Sequence, residues 1–133
     1  MVEALSIIAL VAVVTLIVTD LVIVFTVMRD RRRREHHPRY FKYFDKAMEI
    51  RREIHEQTQR KREYFESRLK LIYDYRRSGE GTEEYFSTCS RTISKEYLEF
   101  QEWFNEQHKS ADRLFEKADL YAKEHGLKWG VLF

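Results

Sequence analysis

The order of apolar and polar positions divides the chain into two unlike parts. From Ala4 to Met28 the sequence reads ALSIIALVAVVTLIVTDLVIVFTVM, and Asp20 is its only charged residue. A helix of that length covers about 37 Å, against the ~30 Å hydrocarbon core of a bilayer. The pattern therefore predicts a transmembrane helix within residues 1–28. A cleaved secretory signal fits it poorly. No basic stretch precedes the apolar run, the run is too long, and no small-residue cleavage site follows it.

Beyond Met28 the pattern becomes that of amphipathic helices. A basic juxtamembrane collar, 29–37, ends at Pro38, which suits the first turn of a new helix. From Arg39 to about Arg77 there is no glycine or proline. Apolar residues recur at helical spacing as Phe41, Phe44, Met48 and then Phe65, Leu69, Ile72. Between them Arg51–Glu63 is polar on nearly every face, with Ile54 alone to bury. Gly79 and Gly81 mark a turn at about 78–82. Thr82, followed by Glu83 and Glu84, opens a second helix.

That second helix carries a heptad-like seam: Phe86, Ser90, Ile93, Tyr97, Phe100, Phe104, Gln107, Ala111, Leu114, Ala118, Tyr121. Ser110 offers a cap for a break within 108–112, which the pattern leaves open. Gly126 suits the C′ position that ends the helix. Two helices of similar length joined by a short turn predict an antiparallel hairpin over 38–125. An apolar tail, 126–133, follows. The expected fold is all-α: one N-terminal transmembrane helix and a long antiparallel helical hairpin outside the membrane.

Charge sharpens this picture. The chain has 24 basic and 22 acidic residues, a net charge of +2. Arg29–Arg34 (RDRRRR) holds five of the basic residues, and residues 35–133 balance at 19 of each sign. The excess is thus a collar beside the apolar segment. A general nucleic-acid surface would need net positive charge over the soluble part, so none is expected. The positive-inside rule puts the C-terminal bulk on the cytoplasmic, matrix or stromal side, with a short N-terminus across the membrane. Arg29, Arg31, Arg32, Arg33 and Arg34 also suit anionic phospholipid headgroups, at about 1 kcal/mol each.

Asp20 is the unusual residue of the span. A carboxylate so deep costs roughly 2.5–3.5 kcal/mol. It fits pairing with a donor on a neighbouring helix, a shift of the helix that lets it reach water, or membership of a proton path. The path would need further groups, and no other ionisable residue lies deep in the span. Thr15, Thr19 and Thr26 form a small hydroxyl stripe beside it, which suits close helix packing. Asp20, Thr15, Thr19 and Thr26 are therefore the expected intramembrane docking residues. Aromatics make up 14% of the chain, more than one hairpin seam can absorb. Trp103, Trp129, Leu132 and Phe133 are expected to meet a partner or the membrane interface.

The search for chemistry yields no catalytic constellation. His36, His37, His55, His108 and His125 have no metal-ligand spacing, and none follows an acid by three residues as a di-iron bundle requires. The four glycines form no phosphate loop, and Cys89 has no second thiol. No enzyme activity, no cofactor and no small-molecule substrate are expected.

The near-N-terminal span, RDRRRR immediately after it, and a charged, aromatic-rich helical extension together resemble the single-span accessory subunits of mitochondrial respiratory-chain or ATP synthase complexes. The resemblance covers the layout of the whole chain and no diagnostic motif. It implies a non-catalytic subunit of the mitochondrial inner membrane, bound to other integral and peripheral subunits. The competing expectation is a membrane-anchored tether or adaptor whose Phe86–Tyr121 seam makes a homomeric coiled coil.

Overall fold

The computed structural model describes residues 1–128. It contains three helices: α1 (Val2–His36), α2 (Pro38–Ser78) and α3 (Glu83–Glu124). The chain divides into two compact units, Met1–Phe41 and Lys42–Phe133.

In the first unit α1 runs for 35 residues, on through the arginine collar. Nothing between Met28 and His36 interrupts helical hydrogen bonding, and the side chains there form (i, i+4) pairs. Arg34 Nε donates to Asp30 at 2.9 Å and Arg31 Nε to Glu35 at 3.2 Å. Each such exposed pair contributes about 0.3–0.5 kcal/mol. The helix stops at His37, whose φ of −131° and ψ of 59° leave the helical region. Pro38 explains the place, since its ring disfavours the α conformation in the residue before it. The Arg34 guanidinium lies 4.7 Å from the centre of the Phe41 ring.

In the second unit α2 and α3 form an antiparallel hairpin with a constant register. Tyr75 packs on Tyr85 and Phe86 beside the turn, with ring centres 5.2 and 6.1 Å apart. Further along, the Tyr64 hydroxyl meets Glu96, and Phe65 packs on Tyr97 at 5.8 Å. At the far end Phe44 packs on Phe115 at 5.6 Å, and the Arg51 guanidinium covers the same Phe115 ring at 4.4 Å. The seam buries Ala47 and Ile54 of α2 against Phe86, Ile93, Ala111 and Ala118 of α3. Ala47 and Ala111 are wholly buried, so the backbones approach closely at that end.

Four details differ from the periodic pattern. Met48 and Leu69 are 47% and 55% exposed, and Ala47 takes the inward place beside Met48. Ser90 and Tyr97 are also exposed, while Cys89 and Glu96 are half-buried. Past Phe100 the inward positions are Phe104, Ala111 and Ala118, as the pattern predicts. On α3 the shift has a geometric cause. A helix of 3.6 residues per turn slips by ~20° per heptad against a strict seven-residue repeat. Over the length of α3, the face turned to α2 therefore moves by one residue. No break occurs within 108–112: α3 is continuous for 42 residues.

The caps follow their residues. The Thr82 hydroxyl accepts from the Tyr85 amide at 3.2 Å. At the other end Gly126 has φ +64°, Leu127 N–H donates to Ala122 at 2.8 Å and Gly126 N–H to Lys123 at 3.3 Å. Those two bonds and the left-handed glycine make a Schellman cap.

Candidate functional site

Asp20 lies on an α1 that buries none of its residues, and it is exposed among apolar side chains. The hydroxyls of Thr15, Thr19 and Thr26 each donate to the carbonyl four residues earlier, to Val11, Thr15 and Val22, at 2.7 Å. Ser6 does the same to Val2 at 2.9 Å. The stripe beside Asp20 therefore has no unspent hydroxyl proton. It presents small surfaces for close approach, and Asp20 alone presents a charge.

The five collar arginines do not share a face. At 100° per residue, Arg29, Arg31, Arg32, Arg33 and Arg34 point around the whole circumference of α1. A ring of that kind meets a surrounding layer of anions better than a one-sided partner.

Trp103 stacks on Phe100, with ring centres 5.6 Å apart and planes 26° from parallel. It is half-buried and lines a groove of about 330 Å³ with Glu53, Gln57, Glu96 and Glu99. Trp129, Leu132 and Phe133 lie outside the described residues. Among the described residues, no three of His, Cys, Asp and Glu come together as a metal site would need. Cys89 is half-buried. The thiol, beside the Tyr85 hydroxyl, raises that hydroxyl's pKa, through hydrogen bonding first and charge second.

On the hairpin's other side lies a larger, mostly apolar groove of about 770 Å³. Phe65 and Leu69 of α2 line it with Ile93, Tyr97, Leu98 and Phe104 of α3. The buried Thr58 hydroxyl at its edge has no hydrogen-bond partner among the described residues. The seam pattern does not find this groove: it assigns Ile93, Tyr97 and Phe104 to the contact between α2 and α3, whereas Tyr97 is exposed and, with Leu98, extends an apolar surface outside that contact. One signal for it is present: from Ser87 to His108, one face of α3 carries no charge. Ser87, Ser90, Ser94, Tyr97, Leu98, Gln101, Asn105 and His108 fall within roughly a 100° arc. All six charged residues of that stretch point elsewhere.

Exposed large apolar side chains of the second unit also concentrate near the turn. Tyr64, Leu69, Leu71, Tyr73, Tyr75, Tyr85, Tyr97 and Leu98 are exposed there, against Met48 and Leu120 elsewhere. Scattered apolar exposure is ordinary, whereas a concentration of tyrosine and leucine is what interfaces use. No protein-family model, curated protein sequence or solved structure matches the chain. A functional reading therefore rests on its own residues.

Proposed function

We propose that the chain is a non-catalytic structural subunit of a membrane protein assembly, held in the bilayer by α1 and offering its hairpin to protein neighbours. Asp20 carries this reading. α1 is long and apolar enough to cross a membrane. A lone anchor gains nothing from a carboxylate costing roughly 2.5–3.5 kcal/mol in its middle. A donor on a neighbouring transmembrane helix offsets that cost, and the small threonine stripe lets such a helix come close.

The arginine ring suits anionic headgroups at the membrane surface, and by the positive-inside rule it favours the matrix, cytoplasmic or stromal side for the hairpin. The layout resembles accessory subunits of respiratory-chain or ATP synthase complexes, which favours the mitochondrial inner membrane. The concentration of exposed aromatics near the turn supports protein partners for the hairpin.

Solubilisation of native membranes in mild detergent tests the assembly. The chain is expected to comigrate with a complex many times its own 16.3 kDa. Migration at the size of a small homo-oligomer would overturn the subunit reading and favour the self-associating tether. The docking role of Asp20 is tested separately. Asp20→Lys should lower incorporation into the complex at least ten-fold, with the chain still inserted in the membrane. Normal incorporation of both Asp20→Lys and Asp20→Leu would exclude that role.

A further inference from the structure

We infer that the large groove of the hairpin is the interface with a second copy of this chain, packed antiparallel about a two-fold axis. The inference goes beyond the subunit reading and does not depend on it. A dimer can serve as the building block of a larger assembly and of a tether alike.

Two observations select a second copy over an unrelated helix, and the size of the face allows it. The uncharged face of α3 is self-complementary. A symmetric interface sets each residue against its mirror position on the other copy. About a midpoint between Tyr97 and Leu98, small residues fall opposite larger polar ones. Ser94 meets Gln101 of the second copy, Ser90 meets Asn105, and Ser87 meets His108, while Leu98 lies beside its own equivalent at the axis.

Independently, the charges on the α2 rim match about the same axis. The contacts of Tyr64 with Glu96 and of Phe65 with Tyr97 put Tyr64 and Phe65 level with that midpoint. A two-fold there brings Arg62 of one copy to Glu66 of the other, twice. Both residues line the groove. The hairpin register makes the two centres coincide, since neither helix's sequence refers to the other.

The size is also adequate. The uncharged stretch of α3 is roughly 33 Å long, and two helices side by side are about 20 Å wide. That gives about 650 Å² per copy, within the range of specific dimers. Phe65, Leu69, Tyr97 and Leu98 would form its apolar centre, closing two hairpins into an antiparallel four-helix bundle.

The test uses the purified full chain in mild detergent. Light scattering should give a protein mass of two copies. Leu98→Glu should weaken association at least ten-fold, with helical circular dichroism unchanged. Arg62→Glu should weaken it as well, and Arg62→Glu combined with Glu66→Arg should restore it. In a Cys89→Ser background, Leu98→Cys should form a disulfide-linked dimer and Ser87→Cys should not. Antiparallel packing places the two Ser87 positions about 30 Å apart along the helix. A single-copy mass at every concentration would overturn the proposal and leave the groove to a helix of another protein. A dimer indifferent to Leu98→Glu would overturn it too, by locating association elsewhere. Self-crosslinking through Ser87→Cys would rule out the antiparallel sense.

Discussion

Met48 and Ile54 show how the turn of one helix separates an outward from an inward residue in this hairpin. Six positions put them about 120° apart around α2, and Ile54 is 4% exposed against 47% for Met48. Ile54→Ala is expected to cost about 2–4 kcal/mol, the sum of lost transfer energy and an unfilled cavity. Met48→Ala should stay within about 0.5 kcal/mol. Urea denaturation of the two variants gives both values, and similar losses for both would contradict the seam. Tyr64 links the helices more locally. Its hydroxyl donates to Glu96 at 2.9 Å and accepts from Arg68 at 3.1 Å. The bond to Glu96 raises its pKa above the ordinary 10.0, helped by desolvation and opposed by the Arg68 charge. In the unfolded chain the hydroxyl ionises first, so the link stabilises fully below pH 10 and is lost as pH rises through the folded value. Wild-type stability should therefore fall more steeply above pH 10 than that of Tyr64→Phe. Parallel pH curves from denaturant titrations would contradict this.

The turn that joins α2 to α3 rests on few residues. Gly79 adopts φ +76°, a left-handed conformation that costs other residues roughly 1–2 kcal/mol. Gly81 has a different reason to be small: a Cβ there would lie 2.5 Å from the Phe86 ring and 2.9 Å from the Tyr75 ring. Thr82 holds the first turn of α3 through the Tyr85 amide. Thr82→Ala is expected to cost about 1 kcal/mol and Thr82→Ser much less, because serine keeps the accepting oxygen. Thermal unfolding monitored by circular dichroism distinguishes them, and equal losses for both would exclude capping as the cause. Both glycines and the threonine were legible from the sequence, since each acts within a few residues of itself. The same holds for Gly126, whose left-handed φ and Schellman bonds involve only its own chain neighbours.

The hairpin is unevenly packed along its length. Past Ile54, α2 contributes no fully buried residue. Thr58, Lys61, Phe65, Arg68 and Ile72 are each half-buried. The opposite end holds Ala47, Ala111 and Ala118, all at 1% exposure or less. Local opening should be easiest where buried contacts are fewest. Hydrogen exchange is expected to be slowest around residues 47–54 and 111–118 and fastest in α2 beyond Phe65. Uniform protection along both helices would contradict that gradient.

Local pattern determined much of this protein. The apolar run of α1, the collar, the glycine turn, the Thr82 and Gly126 caps and the two long helices all follow from residue type and spacing. Each depends on solvent or on neighbours within one turn. Other features depended on how the helices meet. Whether Met48 or Ala47 faces inward, and Ser90 or Cys89, is a choice between positions one step apart. On α2 it is decided by the face the helix turns to its partner, since the inward Ala47, Ile54, Lys61 and Arg68 repeat every seven residues; on α3 the slip between 3.6 residues per turn and a seven-residue repeat adds to it. The apolar groove likewise required the hairpin register. Phe65 and Tyr97 lie far apart in the chain, and only the antiparallel pairing places them side by side. Asp20 was visible from the sequence alone, because a charge in an apolar run is a property of composition. The Arg62–Glu66 symmetry became visible only once the tertiary contacts had aligned α2 with α3.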